Sequence, residues 1–212
     1  ELDGEARIGV PEDFATLFLA DVLTHFSHIH PRIFLNVECD LSLNLLSRFK
    51  QGKLDLVLIK MHTPEQFPHG VNIWKEPLVW VKKSEPLAWT PKEEPLKLVL
   101  SPEPCVYRSI ALKALEKAQI PWRIVYTSPS YAGIIAAVKA NMGITALPVN
   151  MLPSALEKIS SSFLPLLDDI HVSLLKQTEK PHPAIESLHQ FLAHLTQTGN
   201  LTHCLNSSKI DS

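Results

Sequence analysis

Long hydrophobic runs are missing from this 212-residue sequence. The longest apolar stretches, Leu56 to Ile59 and Ile134 to Val138, fall far short of the roughly 20 residues needed to cross a bilayer. No basic stub followed by an apolar core opens the chain; ELDGEARIGV reads as a linker entering a strand, so nothing here points to export. Cysteine is scarce. Cys39, Cys105 and Cys204 are an odd number without CxxC spacing, which argues against a disulfide framework and a structural zinc site and fits a reducing cytosol. Surplus basic charge is lacking too: 20 Lys and Arg stand against 22 Asp and Glu, and no helix gathers the basic residues on one face. The electrostatic footprint of nucleic-acid binding is therefore missing from this chain. No G-x-S-x-G, Walker loop, G-x-G-x-x-G or H-E-x-x-H occurs, so neither a catalytic constellation nor a cofactor site is expected, and the chain reads as a non-enzyme. His25, His28 and His30 are close in sequence but have no third ligand at a recognised spacing, so they are expected to be solvated surface rather than a metal site.

What is present is an ordinary globular composition, 45% hydrophobic and 20% charged, enough for a sizeable core. Ala6 to Val10 reads as a buried strand, Pro11-Glu12-Asp13 as a turn with Asp13 placed to cap a helix, and Phe14 to His28 as that helix, apolar at Phe14, Leu17, Phe18, Val22 and Phe26. Ile33 to Cys39 alternates as a strand, Ser42 to Gln51 repeats Leu43, Leu46 and Phe49 as a helix with Gly52 as its stop, and Leu54 to Ile59 is a buried strand. Strand, helix, strand, helix, strand with short links predicts an α/β unit with a parallel sheet. After an extended segment, Val71 to Val81, broken by Pro77, and a Pro-bearing loop from Ser84 to Pro95, the scheme recurs. It runs through strand Leu96 to Leu100, helix Tyr107 to Gln119, strand Trp122 to Thr127, helix Tyr131 to Met142 closed by Gly143, and strand Ile144 to Leu147. Ile170 to Leu175 and the helix Ala184 to Thr198 cannot form a domain alone, so the chain is expected to recross and complete the first unit. The boundaries expected are 1–76 with 172–212 for the first lobe and 77–171 for the second. The polar tail from Asn200 is expected to fray.

In α/β sheets, ligands settle beyond the carboxyl ends of strands, where helix N-termini present unpaired N–H groups and a positive dipole end. Four such turns stand out: Pro11 to Phe14, Asp40 to Ser42, Pro104 to Tyr107, and Thr127 to Ser130. Together they suit a small polar or carboxylated molecule, with Glu12 and Asp13 adding negative charge and Arg108 offsetting it. Helix capping alone also accounts for Asp13, Ser42 and the Thr127–Ser130 hydroxyls. Cys105, at a helix N-terminus with Arg108 three residues on, has two reasons for a lowered pKa, and a thiolate there could sense oxidants. A small core residue is the plainer alternative.

RIGVPEDFATLFLADVLTHFSHIHPRIFLNV followed by LLSRFKQGKLDLVLIK closely resembles the start of the effector-binding domain of LysR-type transcriptional regulators. EPLVWV and AVKANMGITALP follow in family order, and CVYRSIALKALEKAQIPWRIVYTSPS looks like the LrhA and HexA subgroup. The resemblance runs from about Ala6 to Thr198. It implies a type 2 periplasmic-binding-protein fold, two Rossmann-like lobes joined by two crossover strands, in a cytoplasmic regulator without membrane contact. A small effector would bind between the lobes, and a homodimer or homotetramer would present DNA-binding heads. The family's winged helix-turn-helix would precede Ala6, so DNA binding belongs outside this chain. Family binding positions fall on Glu12, Asp13 and Phe14, on Asp40 and Ser42, and on Thr127, Ser128 and Ser130. Cys105 falls where peroxide-sensing relatives carry a reactive cysteine, but the position of their resolving cysteine is Ala114 here. The family's interface would set the Phe14 to His28 helix of one subunit against the Tyr107 to Gln119 helix of another. The competing class is a solute-binding protein of a transporter, which the same fold also serves.

Overall fold

The computed structural model describes residues 3–63, 70–86, 89, 94–177 and 182–197, with side chains through residue 194. Its elements in chain order are β1 (Gly4–Pro11), α1 (Glu12–Ile29), β2 (Ile33–Asp40), α2 (Ser42–Lys50), β3 (Leu56–Met61), β4 (Val71–Glu76), β5 (Leu78–Lys83) and β6 (Leu96–Leu100). There follow α3 (Val106–Lys117), β7 (Trp122–Thr127), α4 (Tyr131–Lys139), β8 (Thr145–Pro148), a single 3-10 turn (Val149–Met151), β9 (Leu156–Lys158), β10 (Ile170–Lys176) and α5 (Pro183–Gln197). Contacts divide the chain into two compact units, Glu1–Lys75 with His171–Ser212, and Glu76–Ile170. Cys204, the polar tail and the last residue of the expected C-terminal helix, Thr198, lie outside the described residues.

Unit 1 is built on a five-stranded sheet in the order β2-β1-β3-β10-β4. β1 runs parallel to β2, in register from Gly4↔Ile33 to Pro11↔Asp40, and parallel to β3, while β10 pairs antiparallel with β3. The reason is written in the spacing. Phe14, Phe18, Val22 and Phe26 recur every fourth residue of α1, so all four are buried on one face. Each such side chain removed from water contributes about 1.5–3 kcal/mol. Trp74 of β4 stacks on Phe14 with ring centroids 5.8 Å apart, and Phe191 of α5 meets Phe26 edge-on at 5.3 Å. A separate core holds Leu45 and Leu46 of α2 against Leu54, Val57, Ile59, Met61 and Leu175. Gly9 lets α2 approach: a Cβ there would sit 2.7 Å from Leu54 Cδ1 and 3.0 Å from Leu45 Cδ2. His25 and His28 are exposed, in keeping with a solvated surface, whereas half-buried His30 lies 2.7 Å from the Ser187 hydroxyl through Nε2.

Unit 2 repeats this plan. β6 and β7 are parallel, from Leu96↔Trp122 to Leu100↔Thr127, and β5 lies antiparallel between β8 and β9. A parallel bridge at Leu98↔Ile144 joins the two sets, with the Val99 N–H donating to the Ile144 carbonyl at 2.8 Å and the Ile144 N–H to the Lys97 carbonyl at 2.9 Å. The strand order is thus β7-β6-β8-β5-β9, the counterpart of β2-β1-β3-β10-β4. Val79, Val81, Val99, Ile134, Ile135, Val138 and Leu147 fill its core beneath α4.

Helix ends correct one expectation. Gly52, at φ 70°, is the left-handed residue after α2, as its sequence position implies, and the following Lys53 N–H reaches the Arg48 carbonyl at 3.0 Å. α3 and α4 close the same way on Gln119 (φ 55°) and Asn141 (φ 57°), with Ile120 donating to Leu115 and Met142 to Ala137. Asn141, not Gly143, therefore ends α4; asparagine tolerates the left-handed region better than other side chains. Gly143 serves a different need, because a Cβ there would lie 2.6 Å from the Lys97 carbonyl oxygen. The short edge strand β9 was absent from the sequence reading: it is three residues long and only Leu156 of them is buried.

Candidate functional site

In each unit, two adjacent parallel strands end in register, so the turns that follow leave the sheet side by side. In unit 1 the last pair is Pro11↔Asp40, and α1 and α2 start from it. In unit 2 the last pair is Leu100↔Thr127, from which the Ser101 to Cys105 loop leads to α3 and Thr127 to Ser130 leads to α4.

Within unit 1, Glu12 is the first residue of α1 and half-buried, with its carbonyl accepting from the Thr16 hydroxyl at 3.0 Å. Asp13 is not the cap of that helix. Pro11 occupies the cap position without a side-chain bond, and Asp13 lies inside the first turn. There its carboxylate accepts from the Phe14 N–H at 2.9 Å and from Lys60 Nζ at 2.8 Å, with the Asp13 and Lys60 side chains 8% and 10% exposed. A carboxylate in the first turn is favoured by the helix dipole without capping it. Phe14 points into the aromatic cluster with Phe18 and Trp74. Asp40 accepts from the Leu41 N–H at 2.7 Å and from the Asn44 amide at 2.9 Å. Ser42 also fails to cap: Leu41 is the cap residue, and buried Ser42 instead accepts the Lys60 N–H at 3.0 Å through its hydroxyl. Lys60 was missed by the sequence reading, although a lysine closing the apolar run LDLVLI at the carboxyl end of a strand is a visible signal. Nearby Cys39 is exposed as a residue, yet partial desolvation of its thiol pushes the pKa up, and the Glu12 carboxylate adds to the shift.

Unit 2 keeps more of its hydroxyls at the helix start. Ser130 is the cap of α4 and accepts from the Gly133 N–H at 3.4 Å; Ser128 accepts from the Ser130 N–H at 3.2 Å. A Cβ on Gly133 would stand 2.5 Å from Ser128 Oγ, so that glycine makes room for the hydroxyl. Thr127 ends β7 and is exposed. Cys105 holds the cap position of α3, half-buried, and Arg108 turns its guanidinium to the Ser101 carbonyl at 3.2 Å and toward Glu103 at 3.7 Å. Two further groups were not anticipated. Glu76, 3% exposed, accepts the Asn150 N–H at 2.5 Å, and the Tyr131 hydroxyl donates to the Met151 carbonyl at 2.6 Å, so both hold the turn after β8. Among the described residues no group of three or more His, Cys, Asp or Glu could hold a metal ion, and no helix is long and apolar enough to cross a membrane.

Two α/β units, each with three parallel strands and an antiparallel fourth, and each with paired helix starts at one end of its sheet, define the type 2 periplasmic-binding-protein-like class. The family profile described as LysR substrate binding domain matches residues 1–197, and the chain belongs to that family. It is 27% identical over 206 residues to the HTH-type transcriptional regulator PecT of Dickeya dadantii, covering 97% of this chain and 63% of that protein. It is 29% identical over 181 residues to the HTH-type transcriptional regulator DgdR of Burkholderia cepacia, covering 85% of this chain and 60% of that protein. The chain therefore spans less than two thirds of the length of these curated relatives. The Synechocystis CcmR regulatory domain in complex with 2-PG has the same fold, with a TM-score of 0.74 and 17% identity over 92% of this chain and 98% of that one.

Proposed function

We propose that this chain is the effector-sensing part of a LysR-type transcriptional regulator. The observation that carries the reading is the arrangement common to both units: helix starts side by side at the carboxyl ends of parallel strands whose last residues pair, Pro11↔Asp40 and Leu100↔Thr127. Such ends present backbone N–H groups and a positive dipole to a ligand. A small polar or carboxylated effector takes contacts from Glu12, Asp13, Phe14, Asp40 and Ser42 of the lobe 1–76 with 172–212, and from Cys105, Arg108, Thr127, Ser128 and Ser130 of the lobe 77–171. The regulatory domain of CcmR bound to 2-PG supports a small-molecule ligand for this fold.

A ligand that prefers one conformation of the chain shifts the population toward it by its differential affinity. Within the whole regulator, that shift alters the association of a cytoplasmic homodimer or homotetramer and hence its grip on DNA through a winged helix-turn-helix outside this chain. Exposed Ile29 and Phe34, at the end of α1 and on edge strand β2, support association along that side of unit 1. The reading assigns no catalysis, in line with curated relatives that are named transcriptional regulators.

Mass spectrometry of the gently purified protein, followed by a thermal-shift screen of small carboxylic acids, tests the reading. A retained or added small molecule that raises the melting temperature in proportion to the logarithm of its concentration supports it. Flat melting curves across the screen, with no retained molecule, count against it.

A further inference from the structure

Lys60 is where the two helix starts of unit 1 meet. Along β3 the side chains alternate: Val57, Ile59 and Met61 enter the core beneath α2, and Lys60 takes the opposite face, toward the first turn of α1. Its Nζ lies 2.8 Å from Asp13 Oδ2, and its backbone N–H donates to Ser42 Oγ at 3.0 Å. One residue thus grips α1 through its side chain and α2 through its main chain.

Stability alone does not account for this arrangement. An ammonium near the positive end of a helix is disfavoured by the dipole, whereas a carboxylate there is favoured. A buried ion pair is also often no more stabilising than a well-packed apolar pair of the same size. What it supplies is direction, because the charge-assisted bond fixes where the carboxylate, and with it the first turn, can sit. We propose that Lys60 is a positioning residue for effector binding, coupling the Asp13 turn to the Ser42 turn so that the two helix starts move as one. The purpose rests on the effector-binding reading, but the coupling is measurable without any ligand, so the two fail separately.

Amide hydrogen exchange of the chain tests it, read at Thr16 and Leu17, whose helical acceptors are the Glu12 and Asp13 carbonyls, and at Leu45, which donates to the Leu41 carbonyl at 3.1 Å. The double variant Asp13→Asn with Lys60→Met removes both members of the pair. It is expected to speed exchange at Thr16 and Leu17 by about tenfold while Leu58 and Ile59 in β3 keep wild-type rates. Wild-type rates at Thr16 and Leu17 in this variant would overturn the proposal, as would uniform acceleration throughout the unit. Ser42→Ala provides a second reading that leaves the ion pair in place. Coupling requires faster exchange at Thr16 and Leu17 as well as at Leu45; an effect confined to α2 would overturn it.

Discussion

Gly143→Ala should be among the most damaging single-methyl additions in this protein, and the reason lies in a backbone contact. The added Cβ would lie 2.6 Å from the Lys97 carbonyl oxygen and 2.9 Å from its carbon, closer than real Cβ atoms come. A side chain could swing away, but this neighbour is the main chain of β6. Relief requires the Gly143–Ile144 segment to withdraw from β6, which strains the two bonds of the bridge, Ile144 N–H to Lys97 and Val99 N–H to Ile144. Losing part of two hydrogen bonds costs about 1–2 kcal/mol, and overpacking adds about 1–3 kcal/mol, so a total of roughly 2–5 kcal/mol is expected. For a chain of this size that corresponds to a melting temperature lower by roughly 4–20 °C. Gly52→Ala is the control: its φ of 70° is strained for alanine but nothing lies within 4 Å of the new Cβ, so it should cost only about 1–2 kcal/mol. Thermal and urea unfolding followed by circular dichroism would measure both. A Gly143→Ala variant within about 0.5 kcal/mol of wild type would refute the close-approach argument.

Other outcomes follow from the same contacts. Burial pushes the Asp55 carboxyl up, but hydrogen bonds from the Arg7 side chain and backbone override it and hold the pKa below the usual carboxylate value. A depressed folded pKa contributes stability that is present above the unfolded value of about 3.9 and lost as pH falls through the folded one. Urea titrations from pH 5 to pH 2 should therefore show a shallower loss of stability in Asp55→Asn than in wild type, and equal slopes would contradict the Arg7 pairing. Ser130→Ala should lose about 1 kcal/mol with its cap, visible as a lower urea midpoint, and an unchanged midpoint would remove the capping role. Brief peroxide treatment read by mass spectrometry should modify half-buried Cys105 before Cys39, whose thiol is pushed up by burial and by Glu12; equal slow reaction would end the oxidant-sensing alternative.

Periodicity carried most of the architecture. β6 and β7 stand at their expected bounds, and α1, α2 and α5 begin or end within a residue or two of theirs. The i, i+4 spacing of large apolar groups and the glycine after α2 leave little choice there. Local pattern was silent where distant segments decide the outcome. β9 exists because it pairs with β5, not because three residues prefer a strand. Gly143 looked like a helix stop because its neighbour across the bridge, Lys97, is far away in sequence. The same limit shaped the site. Asp13 and Ser42 have cap-forming side chains at helix starts, yet Lys60, contributed by a later strand, draws one into an ion pair and the other into a main-chain bond. At Ser130 the local preference prevails, and its hydroxyl accepts from the Gly133 N–H.

Isothermal titration of the small molecule found by the retained-ligand and thermal-shift experiments, against wild type and the Ser128→Ala, Ser130→Ala double variant, tests the central claim most directly. The account predicts saturable binding of one molecule per chain, weakened by tenfold or more in a variant that stays folded at the titration temperature. Tenfold corresponds to about 1.4 kcal/mol, the scale of one or two lost hydrogen bonds. Equal affinity in the folded variant would return these hydroxyls to helix capping alone, and the absence of saturable binding to wild type would contradict effector sensing by this chain.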